Sequence, residues 1–214
     1  MTLDVSIFLI KKDILQVRGT PASGKTILSF LLVHYIRDQE PNADVRFFNM
    51  WPLKNAQPAY GYNYNLKLAG WSPDRDTIFI FDNAELTYDD EDLWTGFFKN
   101  IHDFPNRRAI LFSSYGSPGR RIIRRGTPFH VKDEQMVTLR AVQHQDDLPA
   151  AGLLFSRVEF DDLISKDYPD SMYHFDSSFF DFVFDITGGH VGAVKDFLLA
   201  IIGHNVGLCC IRTG

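Results

Sequence analysis

Eight consecutive residues near the amino terminus combine glycine, lysine and threonine in a spacing that suits phosphate binding. Glycine at both ends of the segment lets the backbone curl, so that successive amides can point at phosphate oxygens. The helix expected to follow adds its positive end to the same place. The segment is Gly19, Thr20, Pro21, Ala22, Ser23, Gly24, Lys25 and Thr26, which matches G-x-x-x-x-G-K-[ST] in full. It predicts a nucleotide-binding loop, and we include the next residue, Ile27, among its contacts.

Two side chains of this loop carry the chemistry. Lys25 supplies an ammonium group, which is expected to neutralise the β- and γ-phosphates of a nucleoside triphosphate. Thr26 supplies a hydroxyl ligand for Mg²⁺. We therefore predict ATP and Mg²⁺ as the ligands, although the residues do not separate ATP from GTP. The competing interpretation is a glycine turn that carries a surface lysine.

A second acid is needed to hold Mg²⁺ through its water. Its usual source is the end of an apolar strand beside the phosphate-loop strand. Asp82 closes the run TIFIFD and fits this role, so we predict Thr26 and Asp82 as the metal ligands. Many buried strands also end in a turn-forming aspartate, which is the competing interpretation.

Hydrolysis further requires a residue that orients or deprotonates the attacking water. Asn83 directly follows Asp82; its amide can orient water but cannot accept a proton, whereas Glu85, two residues on, can. Ser113 and Ser114 end the next predicted strand, where they either contact the γ-phosphate or its water or serve as turn serines. The predicted catalytic residues are Lys25, Asp82, Asn83, Glu85 and Ser114.

An arginine-rich loop follows that strand. It could bring an arginine to the γ-phosphate of its own or a neighbouring subunit, contact a nucleic acid, or lie solvated at the surface. The four arginines are Arg120, Arg121, Arg124 and Arg125. The sequence leaves the three interpretations open.

Composition limits the function classes. A net charge of −5 argues against a general nucleic-acid or anionic-membrane binder, which would carry a basic face. Cys209 and Cys210 are adjacent, and neighbouring cysteines rarely form a low-strain disulfide, so we expect reduced thiols. We find neither a basic-start signal nor an apolar run that could span a membrane. These features predict a soluble, intracellular and cytoplasmic chain, with a protein partner or a homo-oligomer left open.

Apolar runs alternate with helical patterns along the first two thirds of the chain. We predict strands over 13–17, 44–50, 77–81, 108–113 and 135–142, and helices over 25–38, 64–69 and 89–101. The buried face of the first helix is predicted from Ile27, Leu28, Leu31, Leu32, Tyr35 and Ile36. In the third, the acid run 89–92 is read as helix capping rather than metal binding. The alternation predicts an α/β fold with a doubly covered, mainly parallel sheet of about five strands.

The last third changes character. Helical patterns over 179–186 and 191–202 meet at Gly188 and Gly189, which read as a helix stop. We therefore divide the chain into a nucleotide-binding α/β core over 1–145 and a small helical cap over 146–214. His190 begins the last pattern, where a lone histidine is most often a capping residue.

Several segments together resemble the STAND-type P-loop ATPases, and more narrowly the ATPase domains of crinkler-like fungal and oomycete proteins. The matching pieces are VRGTPASGKT at Val17, FIFDNAELTYDDEDLW at Phe79, AILFSSYGSP at Ala109, GLLFSRVEFDD at Gly152 and TGGHVGAVKDFL at Thr187. The resemblance implies a P-loop NTPase fold and the same roles for Lys25, Thr26, Asp82 and the Ser113 region. It places His190 in a helical segment that closes over the nucleotide. It also implies a longer, multidomain protein, of which this chain is a truncated piece.

The family pattern has an acidic residue where Asn83 stands. The first hypothesis is therefore an ATPase whose slow hydrolysis resets a conformational state. The second is a nucleotide-bound switch or scaffold with little turnover. A small-molecule kinase is a third, which would need a lid for which only the loop around Arg120 to Arg125 is a candidate.

Overall fold

The computed structural model describes residues 12–51, 61–114, 131–141, 151–169 and 175–211. The chain divides into two compact units. The first comprises Met1–Pro21 and Lys25–Gly152, and the second comprises Ala22–Gly24 and Leu153–Gly214. The boundary predicted after residue 145 and the four arginines of the predicted loop lie outside the described residues.

The first unit contains a parallel sheet of five strands. The strands are β1 (Ile14–Gly19), β2 (Asp44–Phe48), β3 (Thr77–Phe81), β4 (Arg107–Ser114) and β5 (Met136–Val137), in the order β2-β3-β4-β1-β5. This confirms the predicted α/β class and the parallel sheet. The prediction of the fifth strand over 135–142 was too long, because the strand covers only Met136–Val137. It pairs with β1 over two residues only, because Thr138 bridges to Gly152 instead of continuing along β1.

Helices cover both faces of this sheet. One face carries Phe79 and Phe81, which pack in a core with Trp94 and Phe97 from the segment after β3. On the opposite face, Phe47 of β2 lies 5.1 Å, ring centre to ring centre, from Phe30 of the first helix. Because both faces are covered, all five residues of β3 are buried, as the continuous apolar run predicts.

The first helix, α1 (Lys25–Gln39), directly follows the predicted phosphate-loop segment. Leu28, Leu32 and Ile36 are buried, as predicted from their spacing. The prediction was wrong for Ile27 and Leu31, which are 64% and 51% exposed. The apolar stripe of the sequence is wider than the strip of helix that the sheet covers, so its outer members stay in solvent.

The two helical segments on the other face differ in type. The first, α2 (Gly61–Leu68), forms close to its predicted position. The helix expected in 89–101 forms, but Leu93–Phe98 is π-helical, and the amide of Lys99 donates to the carbonyl of Trp94. Asp90 caps this segment, since its Oδ1 accepts from the Leu93 amide at 2.9 Å. The capping interpretation of the acid run is therefore confirmed for Asp90.

The second unit is helical. Its helices are α3 (Arg157–Asp167), α4 (Ser177–Thr187) and α5 (Val191–Ile211), and its core is formed by Phe160, Val183, Val194 and Leu198. The predicted stop is confirmed, because Gly188 and Gly189 both have positive φ, at 55° and 74°.

Helix α3 was not predicted. The signal for it is the capping box in which Ser156 and Glu159 bond each other's backbone amides, a pattern readable as S-x-x-E. Within the described ranges, none of the helices is both long enough and apolar enough to cross a bilayer.

Candidate functional site

The strand order selects one position at the carboxyl edge of the sheet. From β1 the chain passes to β2 on one side, and from β4 it passes to β5 on the other. Ligands of open α/β sheets bind where neighbouring strands send their connections in opposite directions. At that point Gly19 and Ser114 are paired in register. The expectation that the Asp82 strand lies beside β1 was wrong, because β4 lies between β1 and β3.

The segment between β1 and α1 is neither extended nor helical. Residues 21–24 form turns and bends, in which Ala22 and Gly24 have φ of 60° and 84°. Glycine adopts this left-handed region without steric cost, which explains the second glycine of the motif. For Ala22 the same conformation is strained, and strained backbone of this kind concentrates at functional sites.

The Lys25 ammonium folds back over the start of the loop. Its Nζ donates to the carbonyl oxygens of Thr20 at 2.7 Å and Gly19 at 3.2 Å, and the residue is 8% exposed. Burial lowers the pKa of Lys25, while the negative charges of Glu85 and Asp82 act in the opposite direction. The site is therefore a buried cation faced by two carboxylates.

Asp82 and Asn83 lie where β3 ends. The Asp82 amide donates to the carbonyl of Phe48 at 2.7 Å, so the β2 pairing continues to this residue, and the side chain is nearly buried. Asn83 then adopts φ 57° and ψ 46°. Asparagine tolerates this left-handed conformation better than most residues, and it turns the chain sharply. The turn decides the direction in which the following acid points.

Glu85 lies on a 3₁₀ turn, Ala84–Thr87, whose last residue is held by the side chain of Trp94. The buried indole of Trp94 donates to the carbonyl and the hydroxyl of Thr87, at 3.0 and 2.9 Å. With the turn held, Glu85 Oε2 accepts a hydrogen bond from the Ser114 amide at 3.1 Å. Glu85 also acts on the Lys25 charge more strongly than Asp82 does. The predicted candidates Lys25, Asp82, Glu85 and Ser114 are thus brought together.

The two predicted metal ligands offer oxygen atoms of the kind Mg²⁺ prefers. Thr26 is exposed in the first turn of α1, and Asp82 ends β3. In the described part of the chain, no group of three or more His, Cys, Asp or Glu side chains lies close enough together to hold a metal ion. Mg²⁺ is usually held by one or two protein ligands plus substrate phosphates, and Thr26 with Asp82 fits such a donor set.

A buried polar network beside the site was not predicted. Gln16 Nε2 donates to Ser113 Oγ at 3.1 Å, and both residues are 1% exposed. Burial raises the pKa of the neighbouring Tyr88 hydroxyl, and hydrogen bonding with Ser113 and Gln16, together with the charge of Arg18, opposes that rise. The glutamine inside the apolar run DILQV is a signal for this network. Nothing in the local sequence points to Tyr88.

His190 belongs to the second unit. Its Nδ1 accepts from the Ala193 amide at 3.2 Å, so it caps α5 as a histidine at a helix start commonly does. Within the same unit, the Gly192 amide donates to the carbonyl of Ala22 at 3.0 Å. A side chain on Gly192 would place its Cβ 2.6 Å from the Cβ of Ala22, so this close approach requires glycine.

Comparison with known proteins does not assign the chain to a family. No protein-family model matches the chain, and no curated protein matches its sequence. What can be said of function therefore rests on the residues and on their geometry.

Proposed function

We propose that this chain is a P-loop domain that binds Mg-ATP at Gly19 to Thr26 and hydrolyses it slowly to drive a change of conformational state. The observation that carries the proposal is the surroundings of Lys25. A buried ammonium at the end of a complete phosphate-loop motif faces the carboxylates of Asp82 and Glu85. Such a constellation at the carboxyl edge of a parallel sheet suits a triphosphate better than a structural ion pair.

Lys25 is the group that would hold the phosphates. Its present acceptors, the carbonyls of Gly19 and Thr20, are weaker partners for a cation than anionic phosphate oxygens. The positive end of α1 favours the same position. Binding would therefore turn the ammonium from the loop carbonyls to the β- and γ-phosphates. Mg²⁺, held by Thr26 and Asp82, would offset the phosphate charge.

Glu85 is our candidate for the general base. In the proposed step, the Glu85 carboxylate takes a proton from a water molecule whose oxygen bonds to the γ-phosphorus. The bond from that phosphorus to the bridging oxygen breaks, and the products are ADP and inorganic phosphate. The bond from the Ser114 amide orients the carboxylate. Asn83 orients water without accepting its proton.

A nucleotide-bound switch or scaffold is the second candidate function. It is favoured by Asn83, which follows Asp82 where the resembling ATPases have an acid. A small-molecule kinase has less support, because its only candidate lid lies outside the described residues. Membership of the STAND-type, crinkler-like ATPases is part of this proposal and is supported by the order of the motifs alone.

The test is binding and turnover of labelled ATP and GTP, with and without Mg²⁺. Lys25→Ala should abolish binding and phosphate release, and Asp82→Asn should remove the dependence on Mg²⁺. Lys99→Ala and Asp74→Asn are matched controls, since both residues are exposed and lie outside the site. Binding that survives Lys25→Ala unchanged would overturn the proposal.

Asn83→Glu separates the two main candidates. If the missing base limits turnover, the variant should release phosphate faster than the wild type. Turnover that is measurable and equal in the two proteins would shift the role of the base to Glu85 or elsewhere. Tight binding with no turnover in either protein would support the switch.

A further inference from the structure

The tip of the proposed phosphate loop packs as part of the second unit. Its three residues, Ala22–Gly24, group with Leu153–Gly214 rather than with the strand and the helix that flank them in the sequence. Two of the three have left-handed backbone, Ala22 with φ of 60° and Gly24 with φ of 84°. The contacts that hold this turn in shape therefore come from residues far along the chain.

Two consecutive residues in the first turn of α5 make these contacts. The Gly192 amide donates a hydrogen bond of 3.0 Å to the carbonyl oxygen of Ala22. The approach is so close that a Cβ on Gly192 would lie 2.6 Å from the Ala22 Cβ and 2.7 Å from the Ala22 carbonyl oxygen. The methyl groups of Val191 lie 3.9 and 4.0 Å from the position that a Cβ on Gly24 would occupy. Each left-handed residue of the loop is thus packed against one residue of the helix.

The start of α5 is itself fixed. The Phe155 amide donates to the carbonyl of Gly189 at 2.8 Å, and a Cβ on Gly189 would lie 2.5 Å from the Phe155 carbonyl oxygen. The imidazole of His190 caps the helix through the Ala193 amide. Val194, in the same turn, is fully buried in the core of the second unit. Two hydrogen bonds and a buried side chain therefore anchor the surface against which the loop tip packs.

Ala22 is the residue for which this support matters most. Left-handed backbone is disfavoured about tenfold for a residue with a side chain, and it persists only where surrounding contacts enforce it. Successive amides converge on an anion when right-handed and left-handed residues follow one another. The handedness of Ala22 therefore bears directly on how well the loop can bind a phosphate group.

We propose that Gly192 is a positioning residue, which holds the phosphate loop in the conformation that binds the triphosphate. The inference rests on the proposed nucleotide-binding function, and it adds that the first turn of α5 controls the affinity of that site. A change that moves this turn away from Ala22 would let the loop relax and would weaken nucleotide binding. The role requires glycine, because any side chain on Gly192 would overlap Ala22.

The test compares two glycine-to-alanine changes in the same helix. Gly192→Ala places a methyl group against Ala22, whereas a Cβ on Gly203 would have no described side chain within 4 Å. Both changes raise helix propensity to a similar extent, so the difference between them isolates the loop contact. In calorimetric titration of the full chain, Gly192→Ala should bind Mg-ATP about tenfold more weakly than wild type. Gly203→Ala should bind like wild type.

Two further variants make the test specific to the loop. Ala22→Gly removes the methyl group nearest to the added one, so in that background Gly192→Ala should cost only about threefold in affinity. Val191→Ala removes the contact with Gly24 without adding a clash, and it should weaken binding about threefold. Thermal unfolding of each variant shows whether it is folded.

The backbone of Ala22 gives a readout that needs no nucleotide. In NMR spectra of the ligand-free protein, the Cβ chemical shift of Ala22 reports whether its φ remains positive. Gly192→Ala should move this shift away from its left-handed value, and Gly203→Ala should leave it in place. A shift unaffected by Gly192→Ala would overturn the inference even if affinity falls.

The outcomes separate this inference from the proposed function. If wild-type protein does not bind Mg-ATP, the proposed function is overturned and the inference falls with it. If wild type binds and Gly192→Ala binds as tightly as Gly203→Ala, only the inference is overturned. It is also overturned if Gly192→Ala costs the same affinity with and without Ala22→Gly. Should Gly192→Ala fail to fold, unchanged binding by Val191→Ala overturns it.

Discussion

The carboxylate of Glu85 accepts a 3.1 Å hydrogen bond from the backbone amide of Ser114, which ties the turn after β3 to the last residue of β4. Ser114 is in turn paired in register with Gly19, the first residue of the proposed phosphate loop. Through these two links an acid two residues beyond the expected position of a general base comes to face Lys25. Substitution of Glu85 can distinguish its proposed catalytic role from a purely structural one.

Glu85→Gln should lower ATP hydrolysis by ~10² to 10⁴ while leaving ATP affinity nearly unchanged. Glutamine keeps an oxygen that can accept from the Ser114 amide, but it cannot take a proton from water. Phosphate release and equilibrium binding should be measured on the same preparation, with Glu134→Gln as the exposed control. Hydrolysis at the wild-type rate would remove Glu85 from the mechanism.

Asn83→Ala should destabilise the protein by about 1 kcal/mol, whereas Asn83→Gly should be nearly neutral. The reason is the left-handed backbone at this position, which costs most side chains ~1 to 2 kcal/mol and glycine nothing. Urea denaturation of the two variants measures the difference. Equal stabilities would mean that the backbone relaxes away from φ 57° when the asparagine is replaced.

Ser113→Ala should lower the free energy of unfolding by ~1 to 3 kcal/mol, because it leaves the buried Gln16 amide without its acceptor. Ser72→Ala, on a partly exposed turn, is the matched control and should change stability by less than about 0.5 kcal/mol. Adding Gln16→Leu to Ser113→Ala should recover part of the loss, since no buried Gln16 amide is then left without its acceptor. A double variant with a lower free energy of unfolding than Ser113→Ala alone would contradict this account.

The Lys25→Met variant should change how stability depends on pH. Burial lowers the pKa of Lys25 below its ordinary value of 10.5, so between that lowered pKa and 10.5 the unfolded chain binds more protons than the folded one. Lys25 therefore makes the free energy of unfolding rise with pH across this window. Chemical denaturation from neutral pH to pH 10.5 should show a smaller rise for Lys25→Met than for the wild type. If the free energy of unfolding rises equally with pH in the two proteins, Lys25 is solvated in the folded chain.

The sequence was a good guide to local structure. The phosphate-loop spacing, the apolar run of β3 and the glycine pair after α4 each predict an element within a few residues, because each depends on backbone chemistry inside a short window. The same reasoning failed for Ile27 and Leu31, whose exposure depends on how much of α1 the sheet covers. It also failed for the length of β5, which depends on a distant partner, Gly152.

By itself, then, the sequence determined which residues could do chemistry and on which strand or turn each would lie. Only the tertiary structure decided that β4 separates β1 from β3, that Glu85 faces Lys25, and that Gln16 and Ser113 share a buried hydrogen bond. Strand order and register follow from packing between segments far apart in the chain. The free energy of pairing two strands depends on the side chains of both strands, so the local sequence of one strand cannot determine it.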